Sequence, residues 1–251
     1  MLVAFFLLTA MLYASVGFGG GSTYNALLIL SNTDYTLIPI IALSCNILVV
    51  SGNSIKFYKH GLIPWRFTIF SILISMPFAW LGGNTVINKE SFTAILGIAL
   101  LLSGGLMLLR QKEVLLPSKW LETSLGRFIT CITSLLVGYT SGLVGIGGGI
   151  FFSPILHLSK ALPTRNISAF ASIFILMNSI SGLLGQLMKD GNQNITLIFL
   201  EYAWLLLAVF IGGQIGLHLN IKVFQPILIR RFTALLIIYV SCRMLLLSLV
   251  N

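Results

Sequence analysis

Long apolar runs separated by short polar stretches fill almost the whole chain. A run of about 18 or more apolar residues is long enough for a helix that crosses a membrane. The runs are continuously apolar and do not alternate with polar positions, which disfavours a membrane β-barrel. Eight segments are predicted, at residues 2–31, 36–56, 63–83, 92–110, 127–158, 166–187, 196–219 and 227–249. The pattern therefore indicates an all-α polytopic membrane protein.

Glycine clusters interrupt the first and the fifth of these segments. The sequence reads VGFGGGSTYNALLIL at 16–30 and VGIGGGIFFSPILHL at 144–158. Other matched pairs, each 130 positions apart, are Ser51-Gly52 with Ser181-Gly182, His60-Gly61 with Asp190-Gly191, and Gly82-Gly83 with Gly212-Gly213. We interpret the chain as two copies of one unit, repeat 1 at 1–110 and repeat 2 at 127–251, joined by a linker at 111–126. Internal duplication is typical of transporter folds.

The positions of Lys and Arg indicate how the two repeats are oriented, because cytoplasmic loops carry an excess of basic residues. If each interrupted segment crosses the membrane once, the two sides receive nine and six basic residues. If each turns back at its glycines, twelve fall on one side and three on the other. The second arrangement predicts two inverted repeats, each with a Gly-broken helical hairpin (2–31 or 127–158) followed by three transmembrane helices. The basic loops and the linker are then cytoplasmic, and both termini lie outside the bacterial inner membrane.

The composition is typical of a membrane protein and limits the classes of partner that are expected. Apolar residues make up 57% of the chain and charged residues only 8%, whereas soluble domains carry about 25% charged residues. The formal net charge of +9 is expected to anchor loops at anionic lipid headgroups, and nucleic acid is not an expected partner. Cys45, Cys131 and Cys242 lie inside apolar segments without metal-ligand spacing, so we predict free thiols, no metal and no cofactor.

The two glycine clusters are candidates for a binding site. Non-helical backbone at membrane depth persists only where it is buried in protein or lines a wet cavity. A half-helix that starts after such a turn has N–H groups without intrahelical partners, and its dipole favours anions. The alternative interpretation is that the glycines only permit close helix packing.

The candidate substrate-binding residues lie at these turns and in the segments that follow them. They are Gly19, Gly20, Gly21, Ser22, Thr23, Asn25, Asn46, Gly147, Gly148, Gly149, Ser153 and Asn178. Two interpretations stay open for Asn46 and Asn178. Their amides either bind the oxygens of an oxyanion or hold neighbouring helices together.

These features resemble those of the TauE/SafE family of sulfite exporter-like permeases. The resemblance is carried by the paired VG-[FI]-GGG motifs, the eight segments and the duplication. The stretches ALSCNILVVSGNSIKFYKHG at 42–61 and ASIFILMNSISGLLGQL at 171–187 resemble the paired second helices of the family. The resemblance implies secondary transport of a small anion. Sulfur oxyanions or organosulfonates such as sulfite and sulfoacetate are the first candidates, and other small organic anions are the alternative.

Acidic residues are expected in loops or near segment ends, so no deep carboxylate is predicted to relay protons. The substrate then crosses either as a charged anion or with a proton carried by itself or by Glu201. A membrane enzyme needs a nucleophile, base or metal cluster at depth, and the sequence contains no such constellation, so no catalytic residue is predicted. A scaffold of sulfur metabolism is a third alternative, and a second copy of the chain is a candidate partner.

Overall fold

The computed structural model describes residues 1–108, 119–189, 200–218, 234–235 and 237–246, and this part of the chain is helical. Its α-helices are α1 (Leu2–Val16), α2 (Gly21–Leu30), α3 (Leu37–Lys59), α4 (Trp65–Asn84), α5 (Lys89–Leu108), α6 (Ser124–Val144), α7 (Gly149–Leu158), α8 (Thr164–Met188), α9 (Ala203–His218) and α10 (Ile237–Leu246). A short 3₁₀ helix at Lys119–Glu122 precedes α6.

Five of the described helices are long and apolar enough to cross a membrane, namely α3, α4, α5, α6 and α8. The prediction of an all-α polytopic membrane protein is therefore confirmed. Some predicted elements lie partly outside the described residues. These are residues 109–110 of the fourth segment, residues 111–118 of the linker, residues 196–199 and 219 of the seventh segment, and most residues of 227–249 that flank α10. The matched pair Asp190-Gly191 also lies outside the described residues.

Both interrupted segments fold back on themselves at their glycines. The rings of Phe6 in α1 and Tyr24 in α2 stack with centroids 4.9 Å apart, although a continuous helix would separate these positions by about 27 Å. In the second segment, a Cβ built on Gly148 would lie 2.5 Å from Cγ1 of Val137, which a continuous helix would place about 16 Å away. Each segment is therefore a helical hairpin with one long and one short arm.

Each half of the chain packs a helix along the hairpin of the other half. Helix α4 lies against α6, and α9 lies against α1. Glycines allow the backbones to touch, because a Cβ on Gly142 would overlap the carbonyl oxygen of Ala79. A Cβ on Gly212 would likewise overlap the carbonyl oxygen of Leu7. Such small-residue contacts are how helices associate where no hydrophobic effect acts between them.

Equivalent helices of the two halves run antiparallel. In the α3–α8 contact, Ser54 Oγ lies 3.1 Å from Ser172 Oγ, while Leu43 packs beside Gly182. The order of contacts along α3 is thus opposite to the order along α8. The same holds for α5 and α10, because Gly97 meets Leu245 whereas Gly104 meets Ile238.

We expect Gly142→Val to destabilise the protein by about 3 kcal/mol, because the added side chain must displace α4 from α6. Thermal unfolding in detergent measures this effect. Gly105→Val is the matched control, since Gly105 also lies inside a helix but no atom approaches within 4 Å of its built Cβ. Equal unfolding temperatures for the two variants would show that the α4–α6 contact contributes little.

Candidate functional site

Glycines in the left-handed region form both turns. Gly17, directly after α1, has φ 87°, and Gly145, directly after α6, has φ 80°. The short arms then begin after Gly20 and Gly148, whose φ angles are 86° and 81°. A side chain costs roughly 1–2 kcal/mol in this region of φ. The shared conformations explain why both copies of the motif need glycine at these places.

The short arms present the unpaired N–H groups of their first turns to the space beside the glycines. In α2 the first intrahelical bonds run from Thr23 N–H and Tyr24 N–H to Gly20 O, at 2.9 and 3.0 Å. In α7 they run from Phe151 N–H and Phe152 N–H to Gly148 O. The N–H groups that precede these bonds have no acceptor within their own helix. Each short arm therefore provides donors and the positive end of a helix dipole.

The turns of the two halves meet around the side chain of Asn46, which is fully buried in α3. A Cβ built on Gly19 would lie 2.5 Å from Asn46 Oδ1, and one on Gly21 would lie 2.6 Å from Asn46 Nδ2. From the other half, a Cβ on Gly147 would lie 2.8 Å from Asn46 Nδ2. A Cβ on Gly21 would also lie 2.6 Å from Ile146 O. One amide thus lies between both glycine clusters.

Three side-chain amides cap the carbonyl end of α6, where the last carbonyls lack intrahelical donors. Gln186 Nε2 donates to Gly142 O at 2.9 Å and to Leu143 O at 3.2 Å. Asn25 Nδ2 donates to Val144 O at 2.6 Å, and Asn46 Nδ2 approaches Gly145 O at 3.5 Å. In this conformation Asn25 and Asn46 therefore hold the second turn through their N–H groups. Gln186 was not predicted, and its only sequence signal is an amide inside an apolar run.

Several buried polar atoms near the turns have no hydrogen-bond partner within the described part of the chain. They are the hydroxyls of Ser22, Ser153 and Ser179 and the Oδ1 atoms of Asn25, Asn46 and Asn178. Ser179 is not among the predicted site residues, although its Oγ would lie 3.4 Å from a Cβ on Gly147. Buried polar atoms are normally satisfied, so water or a bound molecule is expected to complete these bonds.

Ile175 of α8 lies against both glycine clusters, because a Cβ on Gly19, Gly147 or Gly149 would come within 3.2 Å of its side chain. Two other predicted site residues have different partners. Thr23 pairs with the Tyr13 hydroxyl at 2.9 Å, which directs it towards α1, and Asn178 Nδ2 donates to Phe174 O of its own helix at 2.9 Å. The structure thus brings together Gly19, Gly21, Asn46, Gly147 and Gly149.

No Lys, Arg, Asp or Glu is buried in the part of the chain that the structure describes. Among the described residues, the buried polar side chains are only hydroxyls and amides. Glu201, the candidate proton carrier, lies in a short helical stretch directly before α9 and is exposed, as expected for a position near the start of its segment. Backbone dipoles, hydroxyls and amides therefore set the electrostatics of the turns.

Comparison with known proteins identifies the family of this chain. Residues 2–244 match the family described as sulfite exporter TauE/SafE. The chain belongs to this family. Among its relatives is the probable membrane transporter protein y4hK of Sinorhizobium fredii, 30% identical over 85% of this chain and 84% of the relative. Another is the probable membrane transporter protein MJ0441 of Methanocaldococcus jannaschii, 28% identical over 82% of this chain and 80% of the relative. No solved structure matches the chain.

Membership in the TauE/SafE family settles the broad class of the protein. The YunE protein of Bacillus subtilis, also named a probable membrane transporter, is 22% identical over 98% of this chain and 96% of its own length. The relatives are thus named as membrane transporters and match most of the chain. These names confirm the prediction of an integral membrane transporter over that of a membrane enzyme.

Proposed function

We propose that this TauE/SafE protein is a secondary permease for a small anion. The first candidates are sulfur oxyanions and organosulfonates such as sulfite and sulfoacetate, and other small organic anions are the alternative. One observation carries the proposal. Two half-helices, one from each half of the chain, begin at glycine turns that meet around Asn46. Helix N-termini bind anions through free N–H groups and the helix dipole.

The anion site lies, in this proposal, at the interface of the two halves near the middle of the membrane. Hydroxyl donors from Ser22 and Ser179 complement the backbone N–H groups there, because both hydroxyls are buried without a partner among the described residues. Binding sites of duplicated transporters occupy this kind of interface, and rocking of one half against the other exposes them alternately to each side.

We further propose that the two halves are inverted copies, so that both hairpins reach the site from opposite sides of the membrane. The antiparallel contacts of α3 with α8 and of α5 with α10 support this relation. The basic loops are then cytoplasmic, and both termini lie outside the bacterial inner membrane.

Anion binding is the direct test of the function. We expect the melting temperature of the purified protein to rise with added sulfite, sulfoacetate or another small sulfonate, since a ligand that binds only the folded state stabilises it. Liposomes that contain the protein should then release or accumulate the same anion faster than empty liposomes. Choline and sodium salts of one anion serve as controls for cation effects. Failure of sulfur anions, thiosulfate and carboxylates to bind or cross would refute the permease.

Cysteine labelling tests the orientation. Lys59→Cys and Lys160→Cys should react with a membrane-impermeant reagent from the same, cytoplasmic side, and Lys89→Cys should react from the other side. All three lysines are exposed, and the background chain lacks Cys45, Cys131 and Cys242. Labelling of positions 59 and 160 from opposite sides would contradict the inverted arrangement, whatever the substrate is.

A further inference from the structure

We propose that the site between the glycine turns takes singly charged oxyanions, including those that retain one O–H group, and rejects doubly charged ones. Among the candidates above, this selects hydrogen sulfite and singly charged sulfonates and excludes sulfoacetate, whose sulfonate and carboxylate together carry two charges. This inference rests on the proposed anion permease and specifies which charge state of the substrate it binds. It follows from the kinds of polar groups that surround the turns and from what each of them already bonds to.

The positive charge at the site comes only from backbone dipoles as far as the described residues extend. Their buried polar side chains are Ser, Thr, Asn and Gln, and none is a Lys, Arg or His. One helix N-terminus is equivalent to about half a positive charge. Helices α2 and α7 together therefore offer about one positive charge. An anion with one negative charge is balanced, whereas a dianion leaves a full charge uncompensated in a poorly hydrated interior.

Hydrogen-bond acceptors beside the turns strengthen this preference. The Nδ2 groups of Asn25 and Asn46 are directed to Val144 O and Gly145 O of α6. Their Oδ1 atoms are buried without a donor within the described residues. Ile146 O approaches the first turn as well, 2.6 Å from a Cβ built on Gly21. Oxygen acceptors repel additional negative charge, but they accept a hydrogen bond from a substrate O–H group.

Buried hydroxyl groups beside the turns supply further hydrogen-bond donors. Ser22 Oγ and Ser179 Oγ are buried and unpaired among the described residues, and a hydroxyl donates as readily as it accepts. They are suited to the charged oxygens of the anion, together with the backbone N–H groups of the short arms. A hydrogen-bearing oxyanion such as hydrogen sulfite satisfies donors and acceptors at once. Fully deprotonated sulfite satisfies only the donors.

A pH effect of the protein itself must be separated from that of the ligand. The titratable side chains beside the first turn are Tyr13 and Tyr24, with Cys45 near Tyr24, and α7 carries His157 in its last turn. The side chains that approach the second turn from α6 and α8 are Val137, Phe174 and Ile175, which do not titrate. A change of affinity with pH that one anion shows and a permanently monovalent anion does not therefore reports the charge state of the ligand.

Three tetrahedral or pyramidal sulfur anions of similar size show whether the site prefers one negative charge to two. Sulfite changes from one to two negative charges as pH rises, methanesulfonate always carries one charge, and sulfate carries two. Binding of each to the purified full-length protein is measured by calorimetry or by thermal stabilisation at a series of pH values around the second pKa of sulfite. Methanesulfonate is the control for any effect of pH on the protein.

We expect methanesulfonate affinity to be constant with pH, and sulfite affinity to fall about tenfold per pH unit above that pKa. Sulfate should bind about 100-fold more weakly than methanesulfonate. Sulfite binding that stays constant, or sulfate that binds as tightly as methanesulfonate, would overturn the charge selection and leave the anion permease intact. Absence of binding by all three anions and by the wider panel above would overturn the permease and this inference together.

Discussion

Gly148→Leu is expected to reduce anion transport at least about 100-fold while the protein still inserts into the membrane. The residue has φ 81°, and a Cβ there would lie 2.5 Å from Val137 Cγ1 and 3.2 Å from Phe174. The larger side chain must therefore strain the backbone and push the start of α7 away from α6 and α8. Misplacement of binding groups by about 1 Å can lower rates about 100-fold in enzymes, and a transport site depends on similar positioning. Flux into liposomes measures the loss.

Gly61→Leu is the matched control for Gly148→Leu. Gly61 also has a positive φ, 63°, but no atom lies within 4 Å of its built Cβ. It therefore carries the same kind of backbone strain without the contact, and its transport should be close to that of the unmodified protein. Gly20→Leu, at the equivalent turn of the first half, should reproduce the loss. Normal flux in either turn variant would remove that turn from the proposed site.

Asn46→Ala is expected to lower anion affinity and flux at least about tenfold and to destabilise the fold by about 2 kcal/mol. The change removes a side chain that the structure places against Gly19, Gly21 and Gly147 together. It also removes the donor nearest to Gly145 O. Flux and melting temperature are measured on the same preparation, so that loss of protein is not mistaken for loss of binding.

Asn53→Ala separates the role of Asn46 from a general effect of losing a buried amide. Asn53 lies in the same helix, is only 3% exposed, and its Nδ2 has no partner among the described residues. It is not among the atoms nearest to the glycines of either turn. Its variant should retain normal affinity. An equal loss of flux in both variants would contradict a special place for Asn46 between the turns.

The hairpins could be predicted from the sequence because their causes are local. Four glycines within each of the stretches 17–21 and 145–149 weaken a helix locally and permit a left-handed turn, and the apolar arms on both sides are visible in the sequence. The basic residues add a second, independent signal, since their distribution depends on the membrane and not on side-chain packing. Convergence of the two turns was also expected from the duplication.

The hydrogen bonds at the site could not be predicted from the sequence, because they depend on contacts between distant residues. Asn25 donates to a carbonyl 119 positions away, and Asn46 approaches one 99 positions away. Whether an amide binds substrate or backbone depends on where the partner helix ends. Packing of α4 on α6 and of α9 on α1 likewise depends on contacts between the two halves. The pattern of apolar residues within one segment does not predict these contacts.

The amide caps on α6 have a consequence for how the protein is made and how it evolved. The first hairpin closes with its own backbone, since Gly17 N–H and Phe18 N–H donate to carbonyls of α1. In the second hairpin Gly145 N–H likewise donates to Ser141 O, but the carbonyls of Val144 and Gly145 are also approached by Asn25 Nδ2 and Asn46 Nδ2, which the ribosome has already delivered when α6 emerges. The position equivalent to Asn25 in the second half is Ser153, whose side chain is shorter. The second turn is therefore completed partly by side chains of the earlier half, and two copies of the later half alone would have a serine in place of Asn25.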